Sequence, residues 1–250
     1  MAKQSGILPI EGTLGNITFF KTKDGYMVRE KGGVSAHQIA TDPAFQRTRE
    51  NGAEFGRAGK AGKVLRTSMR NLLQKAADSR MVSRLTAMFI KVIQMDSTNT
   101  RGQRNVIDGE ATLLEGFDFN VSSKLNATFV APYSTTINRT TGAVTISIPP
   151  FVPQQMVAVA AGSTHFRLLS CAAVIDFESG TYVSESGNSS DLPIGNVATT
   201  AIELTHALTA NSTHPIFAVL GIEFLQEVNG QMYSLNNGSY NALAVIKVDA

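Results

Sequence analysis

Residues 41–78 constrain the fold more than any other stretch of the sequence. From Phe55 to Leu73, apolar side chains recur every three or four residues, which is the period of an amphipathic helix. Upstream, Asp42-Pro43 is typical of a helix start, because the carboxylate accepts free N–H groups of the first turn and Pro needs none. The pattern predicts a helix over residues 55–77, with a bend or break at Asn51-Gly52.

The rest of this helix is cationic, with no acidic residue between 55 and 77. We predict a surface that binds a partner or a polyanion, formed by Arg57, Lys60, Lys63, Arg66 and Arg70. Gly52, Gly56, Gly59 and Gly62 each cost roughly 1 kcal/mol of helix stability relative to Ala. Four such residues indicate either irregular backbone or the close approach of another element.

A second apolar period predicts a helix over residues 79–95, which would form a helical hairpin with the first. The polar stretch 96–105 reads as a linker. We therefore expect an N-terminal arm at 1–40, a basic helical segment at 41–104 and a β domain at 105–250.

Within the arm, residues 16–30 predict a β-hairpin around the turn pair Asp24-Gly25. An isolated hairpin is marginally stable, so it must pack on its own domain or on a neighbouring subunit. The side chains predicted to serve as an assembly arm are Phe19, Phe20, Tyr26 and Val28.

The C-terminal half carries about eight strand patterns separated by turn signals. They fall at 128–133, 143–148, 165–177, 182–183, 198–207, 216–228, 231–235 and 242–248. The expected fold class is α+β, with an N-terminal hairpin and a helical hairpin followed by an antiparallel, immunoglobulin-like sandwich. The Cys and Trp marks of true immunoglobulin domains are absent, since Cys171 is the only cysteine and there is no Trp.

Charge divides the chain unevenly. Residues 1–104 hold 18 Lys and Arg against 8 Asp and Glu, whereas residues 105–250 hold 4 against 12. The net charges of +10 and −8 suggest a polyanionic partner for the basic half, or pairing between basic and acidic surfaces. Two folding units with different solvated surfaces would explain the same split.

No catalytic or cofactor motif survives inspection. The run GRAGKAGKV at 56–64 lacks both the spacing of a phosphate-binding loop and its Ser or Thr. His37, His165, His206 and His214 have no metal-ligand spacing, and Cys171 lies in an apolar run that predicts a buried, inert thiol. We therefore expect neither enzymatic activity nor a metal or cofactor.

Neither a signal peptide nor a membrane span is expected from the sequence. The default location is the cytoplasm, with a virion or an exported assembly as the alternative.

Three segments carry a resemblance: NITFFKTKDGYMVREKGG, DPAFQRTRENGAEFGRAGKAGK and IEFLQEVNGQMYSLNNGSYNALAVIKV. Together they resemble an uncharacterised family of bacterial proteins of unknown function that have a basic N-terminal segment and a β-rich C-terminal half. The resemblance implies no catalytic residues. It favours a structural, phage-like or extracellular-assembly component over a metabolic enzyme.

Three functional hypotheses follow. The first is a structural protein that self-associates head to tail into an oligomer or filament, with the arm and basic helix as contact surfaces. The second is a nucleic-acid-binding protein that uses the helix at 55–77. The third is a carbohydrate- or surface-binding sandwich, against which the absence of Trp counts.

Overall fold

The chain divides into two compact units, Met1–Arg49 and Glu50–Ala250. The computed structural model describes residues 2–4, 10–30, 32–235 and 238–250. Helices and antiparallel strands occur together, which confirms the predicted α+β class.

The first unit contains a four-stranded antiparallel sheet in the order β1-β4-β3-β2. Its strands are β1 (Ala2–Lys3), β2 (Gly12–Leu14), β3 (Ile17–Thr22) and β4 (Gly25–Glu30). Strands β3 and β4 form the hairpin that the turn pair Asp24-Gly25 predicts. Gly25 has a φ of 111°, a backbone angle that L side chains rarely adopt, so its lack of a side chain suits the turn.

Two short helical turns follow the sheet. Helix α1 (Ala36–Thr41) is capped by Ser35, and a 3₁₀ turn (Pro43–Phe45) is capped by Asp42, whose Oδ1 accepts from the Ala44 N–H at 2.9 Å. The Asp42-Pro43 pair therefore acts as the predicted cap. It leads through the 3₁₀ turn into helix α2 (Gln46–Ser68).

Helix α2 is followed by α3 (Arg70–Ala76) and α4 (Met81–Gln94). Helices α2 and α4 meet at Gly62, where an added Cβ would lie 3.6 Å from the Phe89 ring and 3.7 Å from Leu85. Of the four helical glycines, only Gly62 has such a neighbour within 4 Å. Close approach thus explains one of these glycines, and the other three face open space.

Two local predictions for α2 are wrong. The helix runs unbroken through Asn51-Gly52, because no Pro or competing cap interrupts its hydrogen bonds there. Phe55 is 60% exposed, whereas Glu54 is only 4% exposed. The apolar face is thus displaced at its N-terminal end, because the buried Glu54 carboxylate is neutralised by a distant arginine.

The β half contains two antiparallel sheets. The smaller has the order β10-β6-β5, from β5 (Ser134–Asn138), β6 (Ala143–Ile148) and β10 (Ile202–Ala207). The larger has six strands, with β12-β11-β7-β8 as its main path, β13 beside β11 and β9 beside β7. Its strands are β7 (His165–Asp176), β8 (Thr181–Asn188), β9 (Leu192–Pro193), β11 (Ile216–Val228), β12 (Gln231–Ser234) and β13 (Ala242–Asp249).

The predicted strand at 128–133 is wrong. Helix α5 (Leu125–Thr128) occupies its start, and Pro132, which cannot donate a ladder hydrogen bond, lies just before β5. A second short helix, α6 (Pro153–Met156), follows β6.

The central strands of the six-stranded sheet, β7 and β11, are buried on both faces along most of their length. Alternate residues of β7 share one cluster with the helices, including Leu169 and Cys171, which group with Leu65 and Phe89. The intervening residues, such as Leu168, group with Ile146 of the small sheet. The near-continuous apolar runs in β7 and β11 follow from this two-sided burial.

Candidate functional site: a basic groove and an open N-terminal sheet

The five predicted cationic residues fall into two groups along α2 and the start of α3. Arg57 and Lys60 line a cavity of about 530 Å³ together with the loop after α4. Lys63, Arg66 and Arg70 line a groove of about 420 Å³, which we call the basic groove. The five side chains are thus divided between two neighbouring depressions of the surface.

Arg57 holds the protein's own backbone. Its guanidinium donates to the carbonyls of Gly102 at 2.6 Å and Arg104 at 3.1 Å, and to the Gln103 side-chain oxygen at 3.1 Å. Since several of its N–H groups are engaged in this loop, Arg57 acts as an anchor for residues 102–104. We assign it a structural role.

The basic groove lies on the solvent-facing surface of α2 and α3. Lys63 and Arg70 are exposed and Arg66 is half-buried, its Nε donating to the Gly62 carbonyl of its own helix at 3.1 Å. The remaining lining consists of neutral side chains, including Thr67 and Gln74, and no Asp or Glu contributes to it. The groove is therefore a positive surface with neutral walls.

The N-terminal sheet has no buried core. Every described residue of its four strands is exposed or only half-buried. Strand register places Leu14, Ile17, Phe19, Tyr26 and Val28 on one side, which we call the apolar face.

Three of the four predicted arm residues, Phe19, Tyr26 and Val28, share this apolar face. Phe20 lies on the opposite side, where the Arg29 guanidinium sits 5.4 Å from its ring centroid. Leu14 and Ile17 extend the apolar face and were missed from the sequence. The alternation of Ile17 with Phe19, two residues apart in one strand, is the signal that could have identified Ile17.

An open groove of about 1050 Å³ runs along one end of the apolar face, lined in part by Ala2, Leu14, Ile17 and Val28. Leu14 is 76% exposed and Ile17 is 43% exposed. Burial of these large apolar side chains against another surface would be favourable, because it would remove apolar area from water.

A second surface feature is acidic and lies where strands β8 and β10 meet. The Glu185 carboxylate accepts from the Ala207 N–H of β10, and Glu203 is exposed on the same strand, four residues before Ala207. Both side chains belong to exposed residues. We call this pair the acidic edge.

The buried histidine is paired with a serine. His206 Nε2 lies 2.9 Å from Ser170 Oγ, and the Ser170 hydroxyl donates to the Gly187 carbonyl at 3.3 Å. Burial lowers the pKa of His206, against a smaller opposing effect of the Glu185 charge. Both side chains are enclosed between the sheets, so the pair stabilises the interior and cannot meet a substrate.

Cys171 is also buried, and burial raises the pKa of its thiol. Across residues 2–4, 10–30, 32–235 and 238–250, no group of three or more His, Cys, Asp or Glu side chains could hold a metal ion.

The buried Glu223 carboxylate forms a charge cluster with partly exposed cationic partners. Its carboxylate is 5% exposed and accepts from Lys75 Nζ at 2.8 Å, with Arg167 at 3.9 Å. A hydrogen bond to Asp191 at 2.6 Å raises the pKa of Arg167. Each charge has an opposite neighbour, so the cluster is a structural network that ties α3 to the sheet.

Among the helices in the described ranges, none is both long and apolar enough to cross a bilayer. The chain matches no protein-family model, no curated protein and no solved structure in the three comparisons made with it.

Proposed function

We propose that this protein is a non-enzymatic structural component that self-associates into an oligomer or filament. The observation that carries the proposal is the N-terminal sheet, which has an apolar face but no buried residue among those described. A sheet of four short strands gains little stability until its apolar face is covered. Burial in an assembly would supply that cover.

The basic groove offers a second contact. Lys63, Arg66 and Arg70 supply positive charge, and the acidic edge supplies two carboxylates on a different part of the same unit. Two different, complementary surfaces on one chain permit a head-to-tail contact, which closes into a ring or propagates as a filament.

The packed antiparallel sheets support the proposal of an immunoglobulin-like body that carries these contact surfaces. The large sheet shares one apolar cluster with the small sheet, as the inner faces of a sandwich do. Such a body with a strand-bearing arm suits a phage-like or exported assembly, and agrees with the family resemblance drawn from the sequence.

Size-exclusion chromatography with light scattering and negative-stain microscopy would test self-association. We expect species larger than a monomer, which dissociate as salt rises if the basic groove contributes. A protein that stays monomeric at high concentration and low salt would overturn the proposal.

The contribution of the groove is tested with Lys63→Glu/Arg70→Glu. This variant should weaken the association, whereas Lys91→Glu, which reverses one charge on exposed α4 surface, serves as the control. If both proteins associate as the unaltered chain does, the groove takes no part in assembly.

The second candidate function is nucleic-acid binding, favoured by one observation: three cations line the groove and no carboxylate does. These side chains would displace the cations condensed on the phosphates of a nucleic acid, so affinity would fall as salt rises. Fluorescence anisotropy with labelled single- and double-stranded DNA across a salt series measures this. Absence of binding at low salt, or binding that does not respond to salt, would eliminate the candidate.

A further inference from the structure

The two charged residues of the apolar face lie at opposite ends of it. Lys21 pairs with Tyr26 in the register of β3 and β4, and Glu30 pairs with Ile17. Between these pairs lies the central pair of Phe19 and Val28. The face thus reads as positive, apolar and negative along the strand direction.

Lys21 and Glu30 are too far apart to neutralise each other. Four residues separate their positions along the strands, which corresponds to about 13 Å. Both residues are exposed. Within the described part of the chain, neither forms an ion pair, although the Lys21 ammonium lies 5.4 Å from the Tyr26 ring centroid.

We propose that the apolar face packs against the same face of a second copy of this chain, related to it by a two-fold axis. The axis would lie midway between the two sheets and at right angles to their strands. It places the Lys21 end of one copy over the Glu30 end of the other, twice by symmetry. The inference rests on the proposed self-association and names the surface and the partner.

This arrangement buries the apolar centre of the face and pairs the opposite charges at its two ends. The Phe19 and Val28 side chains of the two copies meet at the centre, at the roughly 10 Å spacing of packed sheets. The self-complementary charge order favours a second copy, because its Lys21 and Glu30 fall where the first copy needs opposite charges. The charge order also determines how the two copies are oriented relative to each other. A two-fold axis parallel to the strands would bring like charges together.

Charge exchange in the full-length protein tests the proposal. Lys21→Glu gives a face with two carboxylates, and Glu30→Lys gives a face with two ammonium groups. Each variant alone should dimerise about tenfold or more weakly than the unaltered chain, because both symmetric ion pairs become repulsive. An equimolar mixture of the two variants should associate as tightly as the unaltered chain, and so should the double variant Lys21→Glu/Glu30→Lys.

Lys3→Glu is the matched control, because strand register places Lys3 on the opposite side of the same sheet. Sedimentation velocity gives the association constants, and circular dichroism verifies that every variant folds. Restored association in the mixture would not arise if the single variants were simply misfolded.

Two results would overturn the inference in different ways. Self-association that is insensitive to the Lys21 and Glu30 exchanges would reject this face-to-face contact and leave the proposed function standing. A monomeric unaltered chain would reject both together.

Discussion

Glu54 and Arg104 form a two-point ion pair that joins the first turns of α2 to the loop after α4. Arg104 Nε donates to Glu54 Oε1 at 2.8 Å, and its Nη2 donates to Oε2 at 3.1 Å. The Gly102 N–H also donates to Oε1, at 2.9 Å. Burial by itself raises the pKa of Glu54, but the hydrogen bonds and positive charges from Arg104 and the loop lower it below 4.5 overall.

Replacing Arg104 by Met should therefore destabilise the fold by about 3 kcal/mol, because the buried Glu54 carboxylate loses its counter-charge. Urea unfolding at pH 7 measures the change in unfolding free energy. Arg101→Met is the control, since Arg101 is 45% exposed and lies 3.6 Å from Glu50. Its loss should cost less than about 1 kcal/mol. Equal losses of unfolding free energy for the two substitutions would contradict the conclusion that the buried Glu54 carboxylate depends on Arg104.

Asp96 should make stability depend on acid pH. Burial raises its pKa, but the N–H groups of Asn99, Asn105 and Thr98, with the Asn99 amide, lower it from 3.8 to about 2. Because the folded pKa lies below the unfolded one, the stabilisation is complete above about pH 4 and is lost as the pH falls towards 2. The contribution amounts to about 2 kcal/mol.

Unfolding free energies of the unaltered chain and Asp96→Asn, measured between pH 5 and pH 2.5, test this. The difference between the two proteins should shrink as the pH falls. Glu203→Gln, which replaces an exposed carboxyl on β10, is the control. A constant difference between the unaltered chain and Asp96→Asn would show that the Asp96 carboxylate does not supply the pH dependence.

Gly56→Ala should stabilise the protein by about 0.5–1 kcal/mol. Gly56 lies inside α2, and an added Cβ would meet nothing within 4 Å, so the gain in helix propensity is not offset by a clash. Gly109→Ala should destabilise the protein, because the added Cβ would collide with the Val92 carbonyl. Thermal unfolding should move upward for the first variant and downward for the second. A lower unfolding temperature for Gly56→Ala would indicate that another group contacts this surface of α2.

The different surroundings of Arg57 and Arg70 give a further prediction. Arg57→Met should lower the unfolding free energy by about 1–3 kcal/mol, since the carbonyls of Gly102 and Arg104 lose a charged donor. Arg70→Met should leave stability within about 0.5 kcal/mol, because Arg70 is exposed. In a polyanion-binding assay Arg70→Met should have the larger effect on affinity. It should reduce the slope of log affinity against log salt by the equivalent of about one phosphate contact. If Arg57→Met has the larger effect in both assays, the assignment of Arg57 to the loop and of Arg70 to the groove is wrong.

The sequence predicts the long core strands and the hairpin well. Strand β11 matches its predicted range 216–228, and β7 ends one residue earlier than predicted, because both are long apolar runs bounded by turns. The turn at Asp24-Gly25 is equally clear, since the backbone angle of Gly25 suits only a few residue types. These features depend on local composition, which a single sequence contains.

Long-range pairing is what the sequence leaves out. Glu54 is buried because Arg104, fifty residues away along the chain, neutralises it, and this displaces Phe55 towards solvent. Arg57 looks like its neighbours on α2, yet backbone carbonyls near Gly102 engage it. Periodicity gives the faces of a helix, but the partners of its charged side chains come from residues distant in sequence.

The enclosed position of Cys171 has a practical consequence. It is the only cysteine in the chain, and its side chain has no exposed surface. A maleimide probe or spin label directed at a thiol would therefore bypass it in the folded protein. Cysteine introduced in place of Val28 or Thr67 would be the sole reactive thiol, so distances between copies could be measured without first removing a native one.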